Sequence, residues 1–281
     1  HYLVDEEGKV ISGETDCHDG QYDASVKTWS QLPNLWHQDV RDEPKWVLAS
    51  DAAHASPDYE GDAPTPLTRW GRQLGSIESI LWTDGSFNIV ANLPRSTIGS
   101  EEKSREAVDL ERLALQVSRN LQTCFYADGI IRTSIDTEEA SGEQYLSALR
   151  DTGNIISLAI GDSLPELAVA HIDHAIEITD ASTLTVKDPF GRAHVYSNAL
   201  YPGLGAIFLR PLPNERLELV VWGADIAGLR RAARLVPMMT GTGVPDFVVL
   251  DGTAAWKGVE GALALGFLDE WWNCSVNSFL T

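Results

Sequence analysis

The last quarter of the chain alternates between short apolar runs and an amphipathic segment. The first run, residues 217–222, ends at Gly223, and a second run covers residues 247–250. Between them, Asp225 is placed to cap a helix whose apolar positions recur at helical spacing, with arginines on its other side. Thr253 is placed to cap a closing helix. The pattern predicts strand, helix, strand and helix, an alternation typical of a layered α/β sheet.

A similar alternation lies further upstream. The elements predicted there are strands at 77–82 and 87–91, a long helix capped by Ser100, a strand at 130–135, a helix at 143–150 and a strand at 154–160. The predicted buried stripe of the long helix consists of Leu110, Leu113, Val117 and Leu121. The order of strands and helices predicts parallel strands joined by right-handed crossovers.

Two parts of the chain depart from this alternation. Residues 175–197 form short alternating segments around a Pro-Phe-Gly turn, which predicts a β-hairpin. Residues 1–65 are irregular and rich in Trp, His and Asp, and 56–66 has the composition of an exposed linker. We therefore predict an α/β domain over 66–281: a three-layer, mostly parallel, flavodoxin-like sheet with a β-hairpin excursion, preceded by the irregular N-terminal segment.

The charge balance excludes two classes of partner. The chain of 281 residues has 41 acidic and 21 basic residues, a formal net charge of −20. Such a surface repels nucleic acid and anionic membranes, so we expect neither as a partner. No apolar run approaches the ~20 residues that a membrane-spanning helix needs.

Several features favour a secreted, extracellular protein. The chain begins at His1 without a methionine, as a processed chain or a fragment does. Its three cysteines, Cys17, Cys124 and Cys274, have no metal-type spacing; two of them could pair, and the sequence does not say which. Asn273-Cys274-Ser275 is an acceptor triplet for glycosylation, so Asn273 is a candidate site.

A nucleophile candidate follows the predicted strand at 154–160. Gly161-Asp162-Ser163-Leu164 resembles the motif of the GDSL esterases, whose nucleophilic serine follows the first strand of a flavodoxin-like sheet. Those enzymes also carry Asp-x-x-His near the C-terminus, but here the comparable spacing occurs only at 51–54, far upstream. A serine without a base is a weak nucleophile, and Gly-x-Ser-x-Gly is absent as well. An ordinary strand-to-helix turn therefore explains Ser163 better than catalysis does.

No metal or cofactor is predicted. His171 and His174 flank Asp173, but no further ligands are evident, which favours a solvated helix face. The glycines of Thr240-Gly241-Thr242-Gly243 follow a helix and precede a strand, the reverse of a phosphate loop. Phe267 and three tryptophans (Trp256, Trp271 and Trp272) crowd the predicted final helix, where packing within the core or against another domain is favoured over a carbohydrate platform.

A family resemblance lies in the same C-terminal region. The stretches 220–225, 231–241 and 244–249 resemble the C-terminal region of large secreted fungal proteins that join a prolyl-oligopeptidase-like α/β-hydrolase domain to a flanking α/β module. Residues 66–81 resemble the passage into that module. The resemblance implies that the serine elbow lies upstream of this chain, and that residues 1–65 end the preceding domain or link to it. It also implies an adjacent hydrolase domain or chain as the partner.

These observations leave two main hypotheses and a minor one. The first is a non-catalytic α/β module of a secreted serine-hydrolase-type protein, which packs against the hydrolase domain or binds an extracellular ligand. The second is a self-sufficient esterase that uses Ser163. The third is a flavodoxin-like domain that binds a nucleotide or a sugar. Ligands of such sheets bind at the carboxyl ends of strands, so the candidate ligand-binding residues are Gly161, Asp162, Gly223 and Asp225.

Overall fold

The computed structural model describes residues 69, 71–92, 101–133, 142–165, 174–236 and 244–281, and four short strands in the first 48 residues. The chain divides into two units, His1–Ala63 and Pro64–Thr281. In the first unit β1 (Leu3–Val4) pairs with β2 (Val10–Ile11), and β3 (Trp36–Asp39) pairs with β4 (Lys45–Leu48), both antiparallel. The predicted linker at 56–66 lies outside the described residues, and the assignment of 1–65 to a preceding domain stays a prediction.

The second unit is built on one eight-stranded sheet. Its strands are β5 (Phe87–Asn92), β6 (Gly129–Thr133), β7 (Ile155–Ile160), β11 (Gly205–Pro211), β12 (Leu217–Gly223), β13 (Phe247–Leu250), β14 (Ala262–Gly266) and β15 (Phe279–Leu280). Their order across the sheet is β15–β14–β13–β11–β12–β7–β5–β6. The neighbours β6, β5, β7 and β12 are parallel, whereas β11 is antiparallel to both β12 and β13. The sheet is therefore mixed, with a mainly parallel centre.

Helices cover both faces of this sheet. α1 (Glu101–Phe125) buries all four residues of its predicted stripe and shares a core with Phe87 and Ile89 of β5. α2 (Gly142–Arg150) packs through Tyr145 against Val90 of the same strand. Because successive residues of a strand point to opposite faces, α1 and α2 lie on opposite sides. α3 (Ile226–Ala233) joins the core of α1, so the predicted three-layer α/β arrangement is confirmed.

The predicted hairpin between 175 and 197 is present and has a third strand. β8 (Ile176–Asp180), β9 (Thr183–Lys187) and β10 (Ala193–Ser197) form a separate antiparallel sheet in the order β10–β9–β8. Leu184, Val186 and Tyr196 of this small sheet are buried and belong to the main hydrophobic core. The hairpin is thus packed on the domain rather than separate from it.

The strand predicted at 77–82 is wrong, because Ile77–Leu81 is a 3₁₀ helix. Ser76 caps it by accepting a hydrogen bond from the Glu78 amide at 3.3 Å. In a 3₁₀ helix residues three apart lie above one another, which allows Ile77 and Ile80 to be buried together. Short apolar runs are compatible with both a strand and a helical turn, so the apolar run at 77–82 did not by itself distinguish the two structures.

The predicted closing helix is also wrong beyond its first turn. α4 covers only Ala254–Lys257, and Gly258 ends it with a φ of +63°. Thr253 precedes this helix without capping it, since its hydroxyl donates to Asp251 Oδ1 at 2.7 Å. Residues 262–266 then form β14, because pairing with β13 outweighs the helix propensity of Ala-Leu-Ala-Leu. Trp271 and Trp272 accordingly follow a strand and do not lie on a helix.

Candidate functional site

The sequence-predicted site residues meet at the carboxyl edge of the parallel strands. Gly161, Asp162 and Ser163 directly follow β7, and Gly223 ends the neighbouring strand β12, where it pairs with Ile160. The last residue of β5, on the other side of β7, is Asn92. The fold therefore brings the candidates to one edge of the sheet.

The Ser163 hydroxyl is held by the backbone of its own turn. The side chain is largely buried, and Oγ accepts a hydrogen bond from the Ile160 amide at 2.9 Å. The Ser163 amide in turn donates to the Ile160 carbonyl at 3.1 Å. In the part of the chain that the structure describes, no histidine or carboxylate is hydrogen-bonded to this serine. The hydroxyl closes a turn, and no described residue supplies the base that a nucleophile requires.

His174 has a structural role in the core. Its Nδ1 accepts from the Ile176 amide at 3.1 Å, and its Nε2 lies 2.8 Å from the Leu209 carbonyl, to which it donates. The Leu209 carbonyl assigns a proton to Nε2. The Ile176 carbonyl also lies 3.2 Å from Nδ1, and the slightly closer Ile176 amide favours an unprotonated Nδ1 and a neutral ring. The imidazole is buried beside the Trp272 ring, with 6.0 Å between ring centroids. The predicted solvated helix face is therefore wrong for His174, while His171 lies outside the described residues.

The buried His174 ring should make stability depend on pH. Burial lowers the pKa of His174 from 6.5 to about 4. As the pH falls from about 6.5 to 4, the unfolded state binds a proton that the folded state does not, so the free energy of unfolding falls. The expected loss is about 3 kcal/mol, complete near pH 4 and absent above about pH 6.5.

Urea unfolding at a series of pH values measures this effect. The matched control is His174→Gln, which lowers stability at every pH but should remove the His174 contribution to the slope between pH 4 and 6.5. Equal slopes for the two proteins would contradict a neutral, buried His174.

Three of the four predicted ligand-binding residues are used to build the fold. Gly161 has a φ of +58°, and its carbonyl accepts from Trp222 Nε1 at 2.7 Å. A side chain at Gly223 would overlap the backbone of α3, so this glycine lets the helix approach the sheet. Asp225 caps α3 by accepting from the Gly228 amide at 2.7 Å. Asp162 is exposed, which leaves its carboxylate available at this edge.

Asn92 was missed by the sequence analysis. Its side chain is fully buried, yet neither its amide oxygen nor its amide nitrogen has a hydrogen-bond partner among the described residues. Leaving such a group unpaired costs about 1–3 kcal/mol. The signal in the sequence that could have indicated Asn92 is that this polar residue ends the apolar run Ile89-Val90-Ala91. Asn92 therefore presents an unused donor and an unused acceptor near the turn at Ser163.

The remaining candidates lie apart from this edge. Asn273 is exposed, as a glycosylated asparagine must be, and the neighbouring Cys274 is buried. Cys124 and Cys274 are not bonded to each other, and Cys17 lies outside the described residues. The tryptophans differ in exposure: Trp256 is 74% exposed and Trp271 45%, whereas Trp272 is buried in the core.

Comparison with known proteins gives one relevant similarity. No family model matches the chain. The chain is similar to a protein of the fungus Arthroderma benhamiae that is named an uncharacterized secreted protein, with 39% identity over 213 residues. The match covers 76% of this chain and 20% of that protein, so the chain spans about a fifth of the relative's length.

The similarity to a secreted fungal protein confirms the predicted secreted, extracellular location. In the described part of the chain, no helix has both the length and the apolarity to cross a membrane.

Proposed function

We propose that this chain is a non-catalytic α/β module of a larger secreted fungal protein. In that protein it packs against an adjacent serine-hydrolase-type domain, of the peptidase or esterase kind, or binds an extracellular ligand. The observation that carries the proposal is the Ser163 hydroxyl, which accepts from the Ile160 amide and has no base beside it among the described residues. The hydrolase part of the proposal draws on the resemblance to prolyl-oligopeptidase-like proteins.

Two further observations support a module within a larger protein. The chain matches only 20% of a relative that is several times longer. Trp256 is 74% exposed at the carboxyl edge of β13, with Lys257 Nζ 5.0 Å from the centre of its ring. An exposed tryptophan suits a contact with another domain.

Ligand binding at the carboxyl edge is the second candidate. Six strands run in one direction, in the spatial order β6–β5–β7–β12–β13–β15, or 2-1-3-4-5-6 in chain order. The first five follow the flavodoxin order, which supports the flavodoxin-like assignment. In that order the connections reverse between β5 and β7, where such sheets bind ligands. The Asn92 amide, which has no partner within the part of the chain that the structure describes, lies there and favours an uncharged, hydrogen-bonding ligand such as a sugar. Saturable binding of oligosaccharides or FMN in a calorimetric titration would favour this alternative.

The non-catalytic assignment is tested with a fluorophosphonate probe, which reacts covalently with activated serines. We expect the purified chain to show no labelling above that of the Ser163→Ala variant, because the Ser163 hydroxyl has no base beside it in the described ranges. In the longer natural protein we expect a labelled serine, and peptide mapping should place it outside this chain.

Labelling that disappears in Ser163→Ala would instead establish the esterase hypothesis. A longer protein without any labelled serine would contradict the hydrolase part alone. A known serine hydrolase in the same reaction confirms that the probe is active.

A further inference from the structure

A polar groove runs between α1 and α3, on the outer side of one helix layer. It has a volume of about 230 Å³ and is lined by Asp109, Arg112, Leu113, Gln116, Arg230 and Arg234. Arg112 and Gln116 are one turn apart on α1, and Arg230 and Arg234 are one turn apart at the end of α3. Hydrogen-bond donors from both helices therefore face the same space.

The charges in this groove are not balanced. Arg230 Nη2 lies 2.7 Å from Asp109 Oδ2, and Arg112 Nη1 lies 3.5 Å from Asp109 Oδ1. Arg234 is exposed, and its guanidinium has no hydrogen bond or ion pair with any described residue, although its backbone amide donates to the Arg231 carbonyl at 3.2 Å. Three guanidinium groups against one carboxylate leave a local charge of 3 − 1 = +2. This excess of positive charge occurs in a chain whose net charge is −20.

The framework of the groove is fixed by the packing of the two helices. Leu113 of α1 and Leu229 of α3 are both buried in the same hydrophobic cluster. The Asn120 amide also donates to the Val236 carbonyl at 3.0 Å, which ties α1 to the residues that follow α3. The arginine stems therefore start from fixed positions, and less ordering is needed when a ligand binds.

We infer that this groove binds a small dianionic oxyanion: a phosphate group, either as the free ion or as a small monoester, or the free sulfate ion. The planar guanidinium fork matches such oxygens with paired hydrogen bonds, and a dianion neutralises the local charge of +2. Pockets for drug-sized ligands have volumes of about 300–1,000 Å³. The volume of this groove is smaller, which suits a small ion or a small ester. Acidic residues more than about 8 Å from a small ion in the groove are screened from it, whereas an extended polyanion would reach the acidic surface outside the groove and be repelled.

Isothermal titration calorimetry of the purified chain with inorganic phosphate, sulfate and phenyl phosphate at constant ionic strength tests the inference. We expect saturable binding of one anion per chain, and binding that is about tenfold or more weaker in Arg234→Gln and in Arg112→Gln. The matched control is Arg192→Gln, which removes an exposed arginine from the turn between β9 and β10 and should leave the affinity unchanged. Circular dichroism checks that each variant is folded.

The outcomes are distinct. Tighter binding of phenyl phosphate than of inorganic phosphate supports a monoester ligand, and the reverse order supports the free ion. An absence of saturable binding overturns the inference. So does binding that Arg192→Gln weakens as much as the two groove variants do, because it would reflect general charge and not this groove.

Discussion

The Glu218→Ala variant is expected to lose about 3–5 kcal/mol of the free energy of unfolding. Glu218 lies near the start of β12 and is completely buried. Its Oε2 accepts from Arg210 Nε at 2.9 Å and Nη2 at 2.7 Å, and from the Tyr145 hydroxyl at 3.0 Å. Its Oε1 accepts from the Ser157 hydroxyl at 2.5 Å. Removing this carboxylate leaves the buried Arg210 guanidinium without its counter-charge and two buried hydroxyl donors without their acceptor. These losses occur together, so we expect a large decrease in stability.

The state of Tyr145 agrees with its role as a donor. Burial raises the pKa of Tyr145, and the negative charge of Glu218 raises it further. The phenol is thus protonated throughout the range in which the protein is handled, and its hydroxyl hydrogen stays directed at Glu218. We expect this cluster to keep its hydrogen bonds at neutral and mildly alkaline pH.

Urea unfolding followed by circular dichroism measures the effect of Glu218→Ala. Glu218→Gln is the informative companion, because it keeps the shape and one acceptor and removes the charge, so it should lose less than alanine. Glu177→Ala removes an exposed glutamate of β8 and should change stability by no more than about 0.5 kcal/mol. A loss below about 1 kcal/mol in Glu218→Ala would contradict this prediction, because it would show that water solvates the Arg210 guanidinium once Glu218 is removed.

Helices α1 to α3 and most strands followed from the sequence because their apolar residues form local patterns, periodic in the helices and continuous in the central strands. The stripe of α1 and the apolar run of β7 are local patterns, and both are buried as predicted. Local patterns of apolar residues did not predict the position of β11 in the sheet. β12, α3 and β13 are consecutive in the chain, yet β11 lies between the two strands and is antiparallel to both. The place of β11 between β12 and β13 depends on which strands pair, including strands far apart in the chain, and a short stretch of sequence does not specify that pairing.

The sequence placed the candidate residues at one edge of the sheet, and their ligand-binding role stays a prediction. Gly161, Gly223 and Asp225 do lie at the carboxyl edge, as expected for residues that follow parallel strands. Glycine and aspartate also make turns and helix caps, and here the φ of Gly161 and the cap made by Asp225 account for both residues. Asn92 was missed because a buried asparagine is recognised only when its partners, or their absence, are known.

A second large effect is expected at Arg69, which joins the start of the domain to its last strands. Its guanidinium is buried and forms a paired contact with Asp246, at 2.7 Å from Nη1 and 3.1 Å from Nη2. It also donates to the carbonyls of Gln73 and Leu268, both at 2.8 Å, and lies 5.2 Å from the centre of the Trp272 ring. We expect Arg69→Ala to lose about 3–5 kcal/mol of the free energy of unfolding, because the buried Asp246 carboxylate loses its counter-charge.

Arg72→Ala provides the matched control, since the same substitution is made three residues later at an exposed ion pair. Arg72 pairs with Asp84, and both side chains are in contact with solvent. Water and salt screen such a pair, so its removal should have only a small fraction of the effect of Arg69→Ala. Urea unfolding compares the two variants, and hydrogen exchange should show faster exchange around Leu268 and Trp272 in Arg69→Ala alone. Equal losses in both would mean that the Arg69 contacts contribute no more than a surface ion pair, and that the apolar core alone holds the C-terminal strands in place.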